Sequence, residues 1–262
     1  MSSEQLTFFE PIKGMKIAYE KMAGQVDVMS DIGYPGIVFC SGFMSSMEGT
    51  KAVALHNFCK KRNLSYVRFD YSGTYKSAID GQECLISSWK ENIKQVVLQL
   101  TKGPQILVGS SMGGWLMLLV AMEIPERIHS LVGIATAADF IERRFGNLTE
   151  REAKHIQENG LTVSGQWGDW KMSPHFVDDA KQFQILNKDV LNITCPIRLI
   201  HGMKDDTVPY ETSLSVASKV TSQDVDILFR KDGEHRMSMD SDIELLLETV
   251  SKLLPTKNQS KM

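Results

Sequence analysis

The chain has 262 residues, of which 42% are hydrophobic and 23% are charged. These are ordinary values for a globular protein of this length, and they exclude a disordered, collagen-like or disulfide-scaffold chain. The formal net charge of -3 provides no basic field for a phosphate backbone, so the sequence predicts no nucleic-acid partner. The four cysteines, Cys40, Cys59, Cys84 and Cys195, lack CxxC spacing and a histidine cluster, which is typical of reduced thiols in an intracellular protein.

The sequence also allows predictions about membrane insertion and cellular location. No apolar run approaches the roughly 18 residues of a membrane-spanning helix, so the sequence predicts no membrane span. The first residues show neither a signal peptide nor an Arg-rich transit peptide, and we expect a cytoplasmic protein. A peroxisomal location is an alternative, because Ser260-Lys261-Met262 differs by one residue from the peroxisomal Ser-Lys-Leu address.

Short apolar runs rich in β-branched residues recur along the chain. They are continuous rather than alternating, as in parallel strands that are covered on both faces. The predicted strands are Gly36–Cys40, Tyr66–Phe69, Gln105–Gly109, Leu131–Ala135, Ile197–Ile200 and Val225–Phe229. The predicted helices between and after them are Thr50–Lys61, Leu85–Thr101, Met112–Glu123, Thr212–Val220 and Ile243–Leu254. This alternation predicts one α/β domain over residues 1–262, with a mostly parallel central sheet flanked by helices.

One interval breaks the alternation. About sixty residues before the strand at 197–200 show no clear strand pattern, and a structureless loop of that length is improbable in a compact domain. We therefore expect helices there, including Glu150–Asn159, and interpret residues 138–192 as a helical cap inserted between two late strands. Its position after a strand favours a lid over a site, although a packed decoration is the alternative. The apolar side chains predicted to form the lid are Trp167, Trp170 and Phe176.

The strongest motif is ILVGSSMGGW, in which an apolar strand runs through G-x-S-x-G into an apolar helix. A nucleophile elbow has this order, and its tight turn needs small residues two positions before and after the central one. With Ser111 central, these positions are Gly109 and Gly113, whereas with Ser110 central one of them would be the bulky Met112. Ser111 is therefore the predicted nucleophile. The alternative is a glycine-rich turn that serves only helix–strand packing.

A serine nucleophile needs a general base and an orienting carboxylate, which follow in the chain order Ser, acid, His. His235 lies in a loop after a late strand, and we predict that it is the base. The other histidines fall in predicted helices, in the cap or beside strands, and His201 is interpreted as a structural hydrogen-bonding residue. For the acid, the H-G-x-x-D spacing favours Asp205 over its rivals Asp206 and Asp139.

The tetrahedral intermediate also needs donors for its oxyanion. One is expected to be the backbone N–H of Met112, directly after the nucleophile, and the second the backbone N–H of Phe43, in the loop after an early strand. Gly42 would let the backbone approach the site. The alternative for Ser41-Gly42 is an ordinary turn.

With Ser111, Asp205 and His235 assigned, the sequence resembles the α/β-hydrolase superfamily. Within it, the chain is similar to the abhydrolase-ten group of palmitoyl-protein thioesterases, also described as acyl-glucuronide esterases. The matching stretches are GTKA at 49–52, FDYSG at 69–73, PQILVGSSMGGWLML at 104–118, IATAAD at 134–139, CPIRLIHGMKDDTVP at 195–209 and HRM at 235–237.

The resemblance implies a Ser111–His235–Asp205 triad and an acyl-serine intermediate, with acyl ester or thioester substrates that include S-acylated proteins. It implies no metal and no organic cofactor, and it makes the mitochondrion an alternative location. Family members usually carry a further glycine where this chain has Tyr75, so we expect Tyr75 to alter the width of the pocket or access to it.

The main hypothesis is thus a serine hydrolase, a palmitoyl-protein thioesterase. A general carboxylesterase or acyl-glucuronide esterase remains open, as does an enzyme that keeps the elbow but performs acyl transfer or lyase chemistry. A hypothesis of a different class is a catalytically silent hydrolase-fold protein that binds a ligand or partner.

Overall fold

The structure is a computed structural model that describes residues 7–24, 34–79, 83–165 and 168–255. The strands in these ranges are β1 (Thr7–Phe9), β2 (Ile17–Met22), β3 (Gly36–Cys40), β4 (Tyr66–Phe69), β5 (Gln105–Ser110), β6 (Ile128–Ile134), β7 (Leu161–Gly165), β8 (Gly168–Met172), β9 (Ile197–Gly202) and β10 (Val225–Arg230). The α-helices are α1 (Thr50–Arg62), α2 (Ile86–Gln95), α3 (Met112–Glu123), α4 (Phe140–Phe145), α5 (Glu150–Asn159), α6 (Phe176–Lys181), α7 (Glu211–Lys219) and α8 (Asp240–Leu253). None of these described helices combines the length and the apolar character that a membrane crossing requires.

The central sheet has the strand order β1-β2-β4-β3-β5-β6-β9-β10. The six strands from β4 to β10 in this order are parallel, and β2 and β1 add an antiparallel edge. β4 and β5 lie on opposite sides of β3, so the chain changes the direction in which it builds the sheet at this point. Loops at the carboxyl ends of strands beside such a switch point form a crevice, which is the usual ligand site of this class of sheet.

The sheet is covered on both faces, and its strands divide their side chains between two cores. In β3, Val38 and Cys40 pack with residues of α2 and α3, whereas Ile37 and Phe39 pack on the opposite face with residues of α1 and α8. Both sets are almost completely buried. This two-sided burial explains why the strands are continuous apolar runs in the sequence.

The α/β class and the mostly parallel sheet are confirmed, and all six predicted strands are present. Four strands were not predicted: the antiparallel edge, β1 and β2, and the hairpin of β7 and β8. The hairpin lies in the interval for which only helices were expected, together with α4, α5 and α6. The helix predicted to run to Thr101 also changes form, because α2 ends at Gln95 and a π-helical turn follows over Val96–Leu100.

The segment between β6 and β9 is fastened to the rest of the domain by buried polar contacts. The indole N–H of Trp115 in α3 donates to the carbonyl of Phe183 at 3.2 Å. The carboxylate of Asp139, which follows β6, accepts the backbone N–H groups of Ile185 at 2.9 Å and Leu186 at 2.8 Å. The late part of the segment, residues 183–186, is therefore attached both to α3 and to the start of the segment.

The start of α3 lies directly against the end of β3. A Cβ atom on Gly113 would lie 2.1 Å from the carbonyl oxygen of Cys40, which is far inside van der Waals contact. The carbonyl belongs to a central strand and cannot give way. Only glycine at this position lets the helix begin so close to the sheet.

We expect Gly113→Ala to lower the free energy of unfolding by about 2 kcal/mol or more, because overpacking against fixed backbone typically costs 1–3 kcal/mol. Denaturant titration measures this change. The matched control is Gly49→Ala, where the nearest atom to a new Cβ is 3.4 Å away, and this variant should lose less than about 1 kcal/mol. Equal losses in the two variants would contradict the close-approach argument.

Candidate active site

Ser111 lies in a sharp turn between β5 and α3, at φ 53° and ψ −117°. Hydrogen bonds fix this strained backbone, since its N–H donates to Ile134 at 2.8 Å and its carbonyl accepts from Ala137 at 3.0 Å. A Cβ atom on Gly109 would lie 2.5 Å from the carbonyl oxygen of Gly113, so both flanking positions must be small. The local geometry is that of the elbow predicted from the motif.

A chain of hydrogen bonds connects Ser111 to the two other predicted residues. The Ser111 Oγ lies 3.1 Å from Nε2 of His235, and Nδ1 of His235 lies 2.8 Å from Oδ2 of Asp205. An ionised carboxylate can only accept, so Nδ1 carries a proton and Nε2 of the neutral ring is left to accept one. The Asp205 side chain is completely buried, and that of His235 is 23% exposed, at the mouth of the site.

Asp205 is surrounded by hydrogen-bond donors. Its Oδ1 accepts the backbone N–H groups of Thr207 at 2.9 Å and Val208 at 2.7 Å, and its Oδ2 receives His201 Nε2 at 3.1 Å besides His235. Burial by itself would raise the pKa of Asp205. The hydrogen bonds from His201, His235 and Val208 outweigh burial and hold this pKa well below its ordinary value.

The rival carboxylates have other partners. Asp206 is exposed, and its Oδ1 accepts from the hydroxyl of Thr207 at 3.2 Å. Asp139 uses both carboxylate oxygens on the backbone of residues 185–186. The carboxylate that hydrogen-bonds to His235 is that of Asp205, as the H-G-x-x-D spacing favoured.

Contacts from β9 and from α1 hold the loop of His235 in place. A Cβ atom on Gly202, at the end of β9, would lie 2.2 Å from the carbonyl oxygen of Gly233, so the loops after β9 and β10 touch through their backbones. From α1, the Nζ of Lys51 donates to the carbonyl of Arg236 at 2.5 Å and lies 3.2 Å from the Oγ of Ser238. Sequence reasoning missed Lys51, although it lies in the GTKA stretch. Burial lowers the pKa of Lys51 to about 8, although the negative charge of Asp242 acts in the other direction and raises it.

The two predicted oxyanion donors follow β3 and β5, the strands on either side of the switch point. Met112 is the first residue of α3, where backbone N–H groups have no partner within the helix. A Cβ atom on Gly42 would lie 3.3 Å from Cβ of Ser111, so the loop that carries Phe43 runs directly past the serine. Within the described ranges, neither the Met112 nor the Phe43 N–H has a hydrogen-bond acceptor. Both amides are thus available to an incoming oxygen.

Tyr75 contacts this same loop. Its hydroxyl donates to the carbonyl of Met44 at 2.6 Å, and its backbone is in the left-handed region at φ 41°. The neighbouring Tyr71 hydroxyl donates to the carbonyl of Ser41 at 3.2 Å. The segment after β4 therefore braces the loop of Phe43 on both sides. The expected effect of Tyr75 on the pocket stays a prediction.

The predicted lid residues are only partly placed. Phe176, in α6, is fully buried, and its ring centroid lies 6.1 Å from that of Phe43. Phe140 of α4 lies 5.7 Å from Phe43 in the same aromatic cluster. Trp167 lies outside the described residues, and only the backbone of Trp170, within β8, is described.

The chain is similar in sequence and in fold to several known proteins. The sequence profile of the Prolyl oligopeptidase family matches residues 100–254. A human protein, palmitoyl-protein thioesterase ABHD10, is 39% identical over 242 residues, which is 91% of this chain and 76% of the relative. Its bovine counterpart is 38% identical over the same shares. The solved structure of mouse alpha/beta hydrolase domain-containing protein 10 covers 95% of this chain and 98% of its own with a TM-score of 0.82, at 38% identity.

The sheet, the elbow and the loops at its carboxyl edge define an α/β hydrolase, and the serine hydrolase class is confirmed. With this degree of identity over nearly its whole length, the chain belongs to the ABHD10 family.

The location expected from the sequence is contradicted. The bovine, mouse and human relatives are all named as mitochondrial proteins, which conflicts with a cytoplasmic location. That expectation depended on the composition of the first few residues, and such a short segment carries too little information for the inference.

We expect the stability that Asp205 provides to disappear in acid. Folding lowers the pKa of Asp205, so the ionised carboxylate stabilises the folded state fully at pH values above its unfolded-state pKa of about 3.9. This stabilisation is lost as the pH falls from there through the folded-state pKa. The free energy of unfolding of the wild type should therefore exceed that of Asp205→Asn at about pH 5. The difference should shrink below about pH 4.

Denaturant titrations at several pH values measure this difference. Asp206→Asn is the matched control, since it removes an exposed neighbouring carboxylate and should give a small difference at every pH. A gap between wild type and Asp205→Asn that does not change down to pH 3 would contradict the expected protonation.

Proposed function

We propose that this chain is a serine hydrolase of acyl thioesters and esters, acting as a palmitoyl-protein thioesterase through an acyl-serine intermediate. The observation that carries the proposal is the Ser111 Oγ–His235–Asp205 hydrogen-bond chain, with distances of 3.1 Å and 2.8 Å. The thioester chemistry is supported by the names of the relatives, which are palmitoyl-protein thioesterases. We include S-acylated proteins among the substrates on the same ground.

In the first half of the proposed reaction, Ser111 Oγ attacks the acyl carbon while its proton passes to Nε2 of His235. The buried Asp205 carboxylate keeps the Nδ1 tautomer and stabilises the imidazolium that forms. The oxyanion of the tetrahedral intermediate accepts hydrogen bonds from the N–H groups of Phe43 and Met112. As the C–S or C–O bond breaks, His235 returns the proton to the leaving thiolate or alkoxide, and the acyl group remains on Ser111.

In the second half, His235 takes a proton from a water molecule, whose oxygen attacks the acyl-serine carbon. The same two amides receive the second oxyanion. Collapse of this intermediate returns the proton to Ser111 Oγ and releases the carboxylic acid. Every step is a proton transfer or an acyl transfer, so the cycle balances without an oxidant or a reductant.

We also propose that residues 138–192 form a cap that selects the acyl chain. The aromatic cluster of Phe43, Phe140 and Phe176 supports this role, because it joins the proposed oxyanion loop to two helices of the cap. A long acyl chain bound to Ser111 would extend past apolar rings on this side. Trp167, Trp170 and Tyr75 remain proposed contributors to the same wall.

We expect Ser111→Ala to lower kcat by about 10⁶ and to abolish labelling by a fluorophosphonate probe, because the nucleophile is lost. The neighbouring buried serine supplies a matched control, and Ser110→Ala should keep both activity and labelling. Mass spectrometry identifies the labelled residue. Activity of Ser111→Ala within tenfold of the wild type, or no labelling of folded wild-type protein, would contradict the proposed mechanism; the second outcome would favour a silent binding protein.

The substrate class is tested by competition for the same probe. An S-palmitoyl peptide should be hydrolysed and should protect Ser111 from labelling, as the relatives' names suggest. Acyl-CoA, an acyl glucuronide and simple esters serve as comparisons. Protection by the glucuronide or short esters alone would make the chain a general esterase instead of a protein thioesterase.

Chain-length selectivity tests the cap. We expect p-nitrophenyl decanoate to react faster than acetate, and Phe140→Ala to reduce this ratio by about tenfold, since truncating an aromatic ring removes apolar contact area. Phe145→Ala is the matched control, because Phe145 lies on the same helix and its ring lies beside the guanidinium of Arg144. Rates that fall steadily from acetate to decanoate in the wild type, or equal effects of the two variants, would contradict the proposed role of the cap.

A further inference from the structure

A second histidine contacts the carboxylate of Asp205. His201 lies near the end of β9, four residues before Asp205, and it has no solvent exposure. Both of its ring nitrogens have partners, with Nδ1 at 2.8 Å from the Oγ of Ser213 and Nε2 at 3.1 Å from Asp205 Oδ2 and 3.0 Å from the carbonyl of Val208. A buried imidazole with this set of contacts is in a fixed orientation.

The hydrogen-bond partners of His201 also determine which ring nitrogen donates to Asp205. A carbonyl oxygen and an ionised carboxylate can only accept, so the nitrogen that faces both of them, Nε2, carries a proton. The hydroxyl of Ser213 can donate or accept, so its hydrogen bond with Nδ1 is compatible with this arrangement. His201 is therefore oriented with its Nε2–H donor toward Asp205.

The two histidines share one oxygen atom. Asp205 Oδ2 receives Nδ1–H of His235 and Nε2–H of His201, whereas its Oδ1 is occupied by the backbone N–H groups of Thr207 and Val208. With one oxygen held by the loop backbone, the direction of the other depends on these two side chains. Since His235 is partly exposed and lies on a separate loop, His201 is the buried contact that holds Oδ2 in place.

We infer that His201 is a positioning residue that fixes the Asp205 carboxylate for His235 and shares its negative charge. The inference rests on the proposed function, since it gives His201 a part in the proposed triad. Removing the His201 donor would leave Oδ2 held by His235 alone, which loosens the carboxylate and lowers the fraction of His235 in the reactive orientation. It would also leave more of the carboxylate charge to His235, which strengthens binding of a proton there.

Other charged groups lie near Asp205 in space or in the chain. Arg143 of α4 interacts with both Asp205 and Asp139, and it donates to the hydroxyl of Thr212 at 3.1 Å. Asp206 follows in the same loop. These groups are unchanged in variants of His201, so a change in the pH profile of such variants reports on the shared oxygen.

The experiment compares His201→Met with His201→Gln. Methionine fills a similar volume without a donor, whereas the glutamine amide nitrogen is as many bonds from the backbone as Nε2 and can donate to Asp205. We expect His201→Gln to keep kcat within about threefold of wild type and His201→Met to lower it by roughly 10–100-fold with little change in KM. The acid limb of the pH profile of kcat should move to higher pH by about half a unit or more in His201→Met and stay in place in His201→Gln.

Two further measurements keep the outcomes distinct. If His201→Met does not fold, as judged by circular dichroism and thermal melting, Ser213→Ala removes the hydrogen bond at Nδ1 and should give an intermediate loss of kcat with the same direction of shift. If all three variants keep the kcat and the pH profile of the wild type and differ from it in stability alone, the inference is overturned and the proposed triad is unaffected. Failure of folded wild-type protein to react with fluorophosphonate would instead overturn the proposed function.

Discussion

The site depends on the contact between the first turn of α3 and the end of β3. Because Gly113 has no side chain, the helix starts against the carbonyl of Cys40, and the strand that precedes it must turn sharply at Ser111. The same contact places the loop of Gly42 beside the serine, where a Cβ atom on Gly42 would lie 3.3 Å from Cβ of Ser111. One close approach of backbones thus sets the positions of both the predicted nucleophile and the predicted oxyanion donors.

A second close approach organises the other half of the site. The loops after β9 and β10 touch at Gly202 and Gly233, and this contact brings Asp205 within hydrogen-bond distance of His235. The buried carboxylate is stable as an anion because donors from its own loop and from His201 surround it, which offsets the cost of burial. The pairing therefore depends on the packing of two loops rather than on the attraction of two side chains alone.

How far the sequence determined these features differs from element to element. Strands such as Gly36–Cys40 were predictable because two-sided burial leaves a continuous apolar run, and the limits of α3 were predicted because the elbow motif marks its start. Ile17–Met22 was missed because this strand, second from the edge of the sheet and with Glu20 and Lys21 near its end, carries no such run. The contact of His201 with Asp205 was not predictable, because it depends on the direction of two side chains at the end of β9 and in the loop that follows it.

The distribution of backbone strain argues that the edge of the sheet was shaped for chemistry. Among the described residues, seven other than glycine have a positive φ, and six of these lie in loops that follow strands at the carboxyl edge. The six are Met44, Tyr75, Ser111, Ala135, Asp139 and Met237. The seventh, Asn63, ends α1, where a left-handed residue is a normal cap. Such conformations cost about 1–3 kcal/mol each and persist only where the surroundings determine them. A fold stabilised by two buried cores can sustain this cost, and it does so at the edge where Ser111, Asp205 and His235 meet.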